Sequence, residues 1–179
     1  MADRQFGIET LCLHAGQVPD AVTGSRAAPI HQTTSYVFDS AEHAASLFNL
    51  QTFGNVYSRL SNPTVAVLEE RIAALEGGRA ALATASGMAA EMVAMLTLLQ
   101  AGDHFVAANT LYGGTYSQFA VTFKRMGIEC SFVEPDEPAN FRAALRPNSK
   151  AIFVETVANP RLNVIDLEAV AEIAHAHGI

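Results

Sequence analysis

Hydrophobic and polar positions follow two different patterns in this chain, and the change falls near residue 62. Residues 1–62 show little sustained periodicity and several turn-forming residues, which predicts an extended arm with one short helix near Ser40 to Phe48. From Asn62-Pro63, a typical helix start, apolar residues recur at helical spacing until Gly77-Gly78 ends the pattern. The apolar positions of this predicted helix are Val65, Leu68, Ile72 and Leu75.

The rest of the chain alternates short apolar runs with amphipathic segments. The runs predict strands at Ala80 to Ala85, His104 to Ala108, Ile128 to Val133 and Ala151 to Val154. The amphipathic segments predict helices from Ser86-Gly87 to a stop at Gly102, and at Gly114 to Met126, Ala139 to Leu145 and Asp166 to His177. Apolar strands that are each followed by a helix indicate an α/β fold, with a parallel-rich sheet covered by helices on both faces.

The carboxyl end of the sequence predicts that this fold is truncated. Gly178 is a natural helix stop, and Ile179 has the character of the first residue of a further buried strand. A parallel sheet that ended on a covering helix would leave its last strand without a neighbour. We therefore expect an arm over residues 1–62, followed by an incomplete domain over residues 63–179 that continues beyond Ile179.

Composition and charge remove several classes of function. With 11 Lys and Arg against 18 Asp and Glu, the formal net charge of -7 opposes nonspecific binding to nucleic acid or an anionic membrane. No export signal or membrane span is visible. Cys12 and Cys130 cannot form a disulfide framework, so a cytoplasmic location is expected. His175 and His177 face different directions on their predicted helix, and no metal site is expected.

A candidate anion site lies where the predicted strand at Ala80 to Ala85 meets the next helix. At such a junction, Ser86, Gly87 and Met88 present backbone N–H groups and the positive end of a helix dipole, which favour a phosphate. The alternative is an ordinary turn, in which Ser86 caps the helix and Gly87 supplies backbone freedom.

Two more loops follow predicted strands and should reach the same rim of the sheet. Tyr112 lies between a strand and a helix, so its ring could lie flat on a planar cofactor or simply cap the edge of the core. Asn159 follows the next strand along, in a turn that Pro160 stiffens. Taken alone, the Asn159 segment indicates only a turn.

The arm contributes a further pair of candidate ligands, Tyr57 and Arg59. In an extended segment these residues project to one side, so that both could grip one phosphate. A salt bridge that fastens the arm to its own domain is the alternative interpretation. An anion-binding turn, an aromatic ring, an amide and this Tyr/Arg pair together suit a flat, phosphorylated cofactor.

Four segments, YSRLSNPT, ATASGMAAEM, TLYGGTY and ETVANPRLNVIDL, resemble in order and spacing the cysteine/methionine-metabolism family of pyridoxal-phosphate enzymes. The resemblance covers nearly the whole chain. It implies the aspartate-aminotransferase-like fold, with a large cofactor domain, a small carboxyl-terminal domain, and homodimers that pair into homotetramers.

The resemblance also implies roles for individual residues. The amides of Gly87 and Met88, in the turn that Ser86 begins, would hold the phosphate of pyridoxal phosphate. Tyr112 would stack on the pyridine ring as the catalytic residue, and Asn159 would bind the phenolic oxygen. Tyr57 and Arg59 would bind the phosphate of the neighbouring subunit, which makes residues 1–62 an arm exchanged between subunits.

Within the family, FNLQTFGN and the ending PRLNVIDLEAVAEIAHAHGI resemble the O-acetylhomoserine sulfhydrylases more than the γ-lyases or cystathionine γ-synthases. The implied reaction is γ-replacement on O-acetyl-L-homoserine with sulfide or a thiol, which gives homocysteine or methionine plus acetate. Cystathionine γ-synthase and methionine or cystathionine γ-lyase share every motif and remain alternatives.

The residue that would carry the cofactor covalently is expected beyond Ile179. Lys124, on the outer face of a predicted helix, and Lys150, at the start of a strand, lack the desolvated setting that such an amine needs. We therefore expect the isolated 179-residue segment to be inactive. The alternative from a different class is a noncatalytic fragment that at most binds a ligand carrying a phosphate.

Overall fold

The computed structural model describes residues 6–179, which divide into two compact units. The first unit ends at Ala83, and the second runs from Thr84 to Ile179. The helix that begins at Pro63 thus groups with the segments before it, although the predicted domain boundary lay between Asn62 and Pro63. The exchange of residues 1–62 between subunits stays a prediction.

The first unit contains three helices, α1 (Ile8–His14), α2 (Ala41–Phe48) and α3 (Pro63–Leu75). The predicted helix near Ser40 to Phe48 is confirmed as α2, and the Ser40 hydroxyl accepts a hydrogen bond from the His43 N–H at 3.1 Å. The expectation of a single helix in the arm is wrong, because α1 forms as well. With seven residues, α1 is too short to show periodicity, and contacts with α3 stabilise it.

Helix α3 begins where the sequence predicts, with Asn62 as its cap. The Asn62 side chain accepts from the Thr64 N–H at 2.9 Å and donates to the His31 carbonyl at 2.9 Å. Thr64 Oγ1 donates to the Pro29 carbonyl at 2.8 Å, so the start of α3 also fastens the chain around residue 30. The predicted apolar stripe is not buried within this unit, since Leu68 is 54% exposed.

The second unit is a three-stranded parallel sheet with helices between the strands, as predicted. Its strands are β1 (His104–Ala108), β2 (Glu129–Val133) and β3 (Ser149–Phe153), in the order β2-β1-β3. Its α-helices are α4 (Gly87–Leu98), α5 (Gly113–Ser117), α6 (Ala139–Ala144) and α7 (Leu167–Ala176).

The central strand β1 carries the core of the second unit. All five of its residues, His104 to Ala108, are 0% exposed. Because successive side chains of a strand point to opposite faces, both faces of β1 are covered. Phe105 packs edge-on against Phe119 and Phe123, with ring centroids 4.9 and 5.9 Å apart.

The predicted helix from Gly114 to Met126 is interrupted by a π-helical segment, Gln118–Phe123, which follows α5 directly. The segment contains Phe119 and Phe123, which are almost fully buried against β1. Apolar spacing does not distinguish a π-helical turn from an α-helix, so the sequence could not reveal it. Such turns are rare and often lie near functional sites.

The predicted strand at Ala80 to Ala85 is wrong within the described residues. These residues carry no strand, and the Leu82 side chain is 70% exposed. The Ala83 N–H donates to the Glu69 carboxylate at 2.8 Å instead of to a neighbouring strand. An apolar run becomes a strand only when a partner strand accepts its backbone hydrogen bonds.

Candidate functional site

The turn at Ser86 begins α4 as the sequence predicts. The Ser86 hydroxyl accepts from the Ala89 N–H at 3.2 Å, which leaves the N–H groups of Gly87 and Met88 without a partner inside the helix. A Cβ atom built on Gly87 would meet no atom within 4 Å, so there is open space beside the turn. The turn therefore has both the donors and the room for an anion.

Tyr112 lies immediately before α5, and its side chain is 53% exposed. Its ring folds over Gly114, because a Cβ atom on Gly114 would lie 2.6 Å from a Tyr112 ring carbon. The same Cβ atom would lie 3.1 Å from the sulfur of Met88. The structure thus brings Tyr112 and the anion-binding turn together at Gly114.

Asn159 belongs to a loop that follows β3, and its side chain is exposed. The loop is closed by an antiparallel bridge between Val157 and Val164. Within residues 6–179 no hydrogen bond joins Asn159 to Ser86, Met88 or Tyr112, so its role stays a prediction.

The Asn159 loop is fastened across the carboxyl end of the sheet. Arg161 forms a salt bridge with Glu134 at 3.2 Å, just after β2. The other carboxylate oxygen of Glu134 accepts from Asn109 Nδ2 at 2.9 Å, just after β1. Loops that follow all three strands therefore meet at one rim, which is where parallel sheets bind ligands.

Two carboxyl groups that the sequence interpretation missed accept hydrogen bonds from the start of α5. Glu155 Oε1 accepts from the Tyr112 N–H at 2.9 Å, and Glu91 Oε1 accepts from Thr115 Oγ1 at 3.0 Å. Burial raises the pKa of Glu91, the charge of Glu155 raises it further, and the bond from Thr115 lowers it. A signal was available, because Glu91 is the single charged residue in the apolar helix α4.

Tyr57 and Arg59 belong to the first unit and contact each other. The Arg59 guanidinium carbon lies 5.1 Å from the centroid of the Tyr57 ring. Both line a groove of about 450 Å³ together with Phe38 and Phe48. In the described part of the chain Arg59 makes no salt bridge, and the role of the pair as phosphate ligands stays a prediction.

The two lysines, Lys124 and Lys150, are exposed, and their lack of a catalytic role stays a prediction. Across residues 6–179, no group of three or more His, Cys, Asp or Glu side chains is arranged to hold a metal ion. No described helix has the length and apolar character needed to cross a membrane.

The rim fits pyridoxal phosphate chemically. The open space beside Gly87 leaves the turn accessible to a phosphate, and the exposed Tyr112 ring offers a flat surface for a pyridine ring. The Met88 sulfur and the Tyr112 ring both lie next to Gly114, so the turn and the ring are close enough to meet one small phosphorylated ring.

Comparison with known proteins agrees with this chemistry. The profile of the family described as "Cys/Met metabolism PLP-dependent enzyme" matches residues 9–179. The O-acetyl-L-homoserine sulfhydrylase of Leptospira meyeri is 53% identical over 98% of this chain and 40% of its own length. O-acetyl-L-homoserine sulfhydrylase 1 of Thermus thermophilus is 57% identical over 96% of this chain and 41% of its own length. The chain thus spans about 40% of the length of these relatives.

Solved structures give the same result for the fold. A putative O-acetylhomoserine (thiol)-lyase from Campylobacter jejuni, which contains N'-pyridoxyl-lysine-5'-monophosphate, superposes with a TM-score of 0.91 at 41% identity. The match covers 98% of this chain and 43% of that protein. Cystathionine gamma-lyase from Lactobacillus plantarum in complex with L-serine superposes with a TM-score of 0.85 at 35% identity, covering 97% of this chain and 43% of that protein. The predicted fold of pyridoxal-phosphate enzymes is confirmed, and the chain belongs to the family of Cys/Met metabolism PLP-dependent enzymes.

Proposed function

We propose that this chain is part of an enzyme that catalyses γ-replacement on O-acetyl-L-homoserine. In this reaction the bond from the γ carbon to the acetate oxygen breaks, and a bond to sulfur forms. With sulfide the products are homocysteine and acetate, and with methanethiol they are methionine and acetate. The observation that carries the proposal is the 53% identity to a sulfhydrylase of this specificity over 98% of the chain.

The cofactor site of the proposed enzyme is the rim at the carboxyl end of the sheet. The N–H groups of Gly87 and Met88, in the turn that Ser86 begins, bind the phosphate, and Tyr112 packs flat on the pyridine ring. Asn159 donates a hydrogen bond to the phenolic oxygen. When bound, the cofactor supplies the electron sink for the reaction, while these residues hold and orient it.

The active site of the proposed enzyme is shared between subunits. Tyr57 and Arg59 bind the phosphate of the neighbouring subunit in a homodimer or homotetramer, and the Arg59 guanidinium donates charge-assisted hydrogen bonds. The arm supports this proposal because it exposes many large apolar side chains, and such surfaces are typical of interfaces. At least 80% of the side chain is exposed at Val18, Val22, Ile30, Val37, Leu50 and Phe53.

The substrates, location and partners of the proposed enzyme follow from the same resemblance. Its substrates are a small amino acid and sulfide or a thiol, and its location is the cytoplasm. The net charge of -7 supports the absence of nucleic-acid and membrane partners. Residues 1–179 alone are expected to hold the cofactor weakly and to form no product.

A chimeric protein tests the proposal. In this chimera, residues 1–179 replace the matching segment of the Leptospira meyeri sulfhydrylase, and the unaltered Leptospira meyeri protein is the control. We expect the chimera to form homocysteine from O-acetyl-L-homoserine and sulfide, with a requirement for pyridoxal phosphate. A folded, cofactor-loaded chimera that cleaves cystathionine but forms no homocysteine would contradict the proposal and favour the γ-lyase alternative.

A further inference from the structure

We propose that Glu91 and Glu155 are positioning residues that set the Tyr112 ring relative to the turn at Ser86 to Met88. The inference rests on the proposed function, because it assigns the two carboxyl groups to the same cofactor site. Each acts through a hydrogen bond to the first turn of α5.

Glu155 fixes the backbone of Tyr112. Tyr112 is the N-cap residue of α5, and its own side chain makes no capping hydrogen bond to that helix. The Glu155 carboxylate accepts the Tyr112 N–H at 2.9 Å from the end of β3. A hydrogen bond to a charged acceptor is stronger than one between neutral groups, so this contact ties the direction of the Tyr112 side chain to the sheet.

Glu91 links the anion-binding turn to the same helix. It lies on α4, one turn after Gly87, and it accepts from Thr115 Oγ1 at 3.0 Å. Thr115 is fully buried and lies one turn after Tyr112, on α5. The bond therefore joins the two helices whose first residues would contact the phosphate and the ring. In pyridoxal phosphate the distance between the phosphate group and the pyridine ring is fixed. The hydrogen bond between α4 and α5 would hold the turn and the Tyr112 ring at a matching distance.

The setting of Glu91 argues against a purely structural role. Its second oxygen, Oε2, is buried and has no hydrogen-bond partner within residues 6–179. A buried, unpaired oxygen beside a second carboxylate costs stability, and an apolar side chain would pack α4 against α5 without that cost. The pKa of Glu91 is raised for the same reasons, because burial and the charge of Glu155 both disfavour its ionised form.

The test uses variants of the chimera that remove one hydrogen bond at a time. Thr115→Val removes the donor with little change of shape, and Thr115→Ser restores it. Glu155→Leu removes the acceptor of the Tyr112 N–H, and Glu155→Gln keeps an acceptor at that place. Thr97→Val is the matched control, because Thr97 is exposed on α4 and bonds only to the Val93 carbonyl at 2.7 Å.

The readouts are the visible circular dichroism of bound pyridoxal phosphate, which reports ring orientation, and the dissociation constant of the cofactor. We expect Thr115→Val and Glu155→Leu to change the dichroism and to weaken binding about tenfold. Thr115→Ser, Glu155→Gln and Thr97→Val should stay close to the parent. If a variant at one of the two positions fails to fold, the pair of variants at the other position still tests the inference.

The inference is overturned if Thr115→Val and Glu155→Leu lower the melting temperature but leave the dichroism and the dissociation constant unchanged. That result would assign the two carboxyl groups to stability alone. The proposed function fails separately, if the parent chimera forms no homocysteine. In that case a variant-dependent dichroism would still support the positioning role.

Discussion

The N–H of Tyr112 donates to the carboxylate of Glu155 at 2.9 Å, although 43 residues separate them along the chain. The contact links the loop after β1 to the loop after β3. These two strands are neighbours in the sheet. The backbone of Tyr112, from which the ring projects, is therefore fastened to the sheet as well as to α5. Under the proposed positioning role, substitutions at Glu155 should change the ring position even though the substituted side chain is bonded only to the Tyr112 backbone.

Gly114→Ala tests how closely the Tyr112 ring must lie against the backbone. The new methyl group would lie 2.6 Å from the ring, so the exposed ring should swing away. Because alanine favours helices more than glycine does, the melting temperature of the chimera should not fall. Loss of the stacking contact should weaken pyridoxal-phosphate binding by roughly 0.5–1.5 kcal/mol, measured by cofactor titration.

Gly113→Ala is the matched control for this substitution, because a Cβ atom on Gly113 would meet nothing within 4 Å. It should leave cofactor binding unchanged. Equal affinities of the Gly114→Ala variant and the parent would show that the ring position does not matter for binding.

Arg59→Ala tests the contribution of the arm to the neighbouring subunit. The substitution removes one charge-assisted phosphate contact, so cofactor binding in the chimera should weaken by roughly 1.5–3 kcal/mol, with the fold retained. Dialysis followed by measurement of the remaining cofactor checks this. Arg79→Ala, at an exposed arginine of the same unit, should have no effect. A lower melting temperature with unchanged cofactor retention would support the salt-bridge interpretation instead.

The burial of His104 should make the folded state less stable in acid. Its ring nitrogens contact Ser149 Oγ at 2.7 Å and Ser131 Oγ at 2.9 Å inside the sheet. Burial lowers the pKa of His104 below its usual value of 6.5, the charge of Arg146 lowers it further, and Glu129 opposes the shift. The folded state therefore favours the neutral ring, whose contribution to stability is complete above pH 6.5 and is lost as the pH falls toward the lowered pKa.

The variant His104→Gln measures this contribution. At pH 8 the variant should be less stable than the parent by about 1–3 kcal/mol, because a buried hydroxyl loses its partner. The difference in melting temperature should shrink as the pH falls below 6.5, the usual value for the ring. The exposed His175→Gln provides the control. A difference that stays constant from pH 8 to pH 5 would show that protonation of His104 does not oppose folding.

The two cysteines should differ in reactivity. Burial raises the pKa of the Cys130 thiol to about 12, while Cys12 is exposed. Because the thiolate is the reactive form, iodoacetamide at pH 8 should modify Cys12 and spare Cys130, as peptide mass spectrometry would show. In guanidinium chloride both should react. Equally fast modification of both cysteines in the folded chimera would contradict the burial of Cys130.

The sequence predicts many helices and strands correctly because their signals are local. Asn62 and Ser86 are strong cap residues, and the structure confirms a helix at each. The buried strand at His104 to Ala108 is continuous and apolar, which identifies it without any partner. The apolar run at Ala80 to Ala85 looks alike in sequence, but it has no ladder partner among the described residues.

The parts that the sequence missed depend on contacts over long distances. The π-helical segment contains Phe119 and Phe123, which pack on Phe105, and the spacing of residues along one helix cannot reveal that contact. In the sequence, Glu155 stands out only as part of the segment ETVANPRLNVIDL. Its contact with Tyr112 becomes apparent only when β1 and β3 are known to pair. The turn at Ser86 and the Tyr112 loop could be placed at one rim because parallel strands end at the same edge.

Pyridoxal phosphate is proposed to bind at the rim formed by the turn after Ser86 and by Tyr112. The most direct measurement is a crystal structure of the chimera with bound pyridoxal phosphate. We expect the phosphate oxygens to lie within hydrogen-bond distance of the Gly87 and Met88 nitrogens, with the Tyr112 ring stacked on the pyridine ring. A cofactor bound elsewhere, with no phosphate at this turn and with the Tyr112 ring away from it, would show that this rim is not the cofactor site.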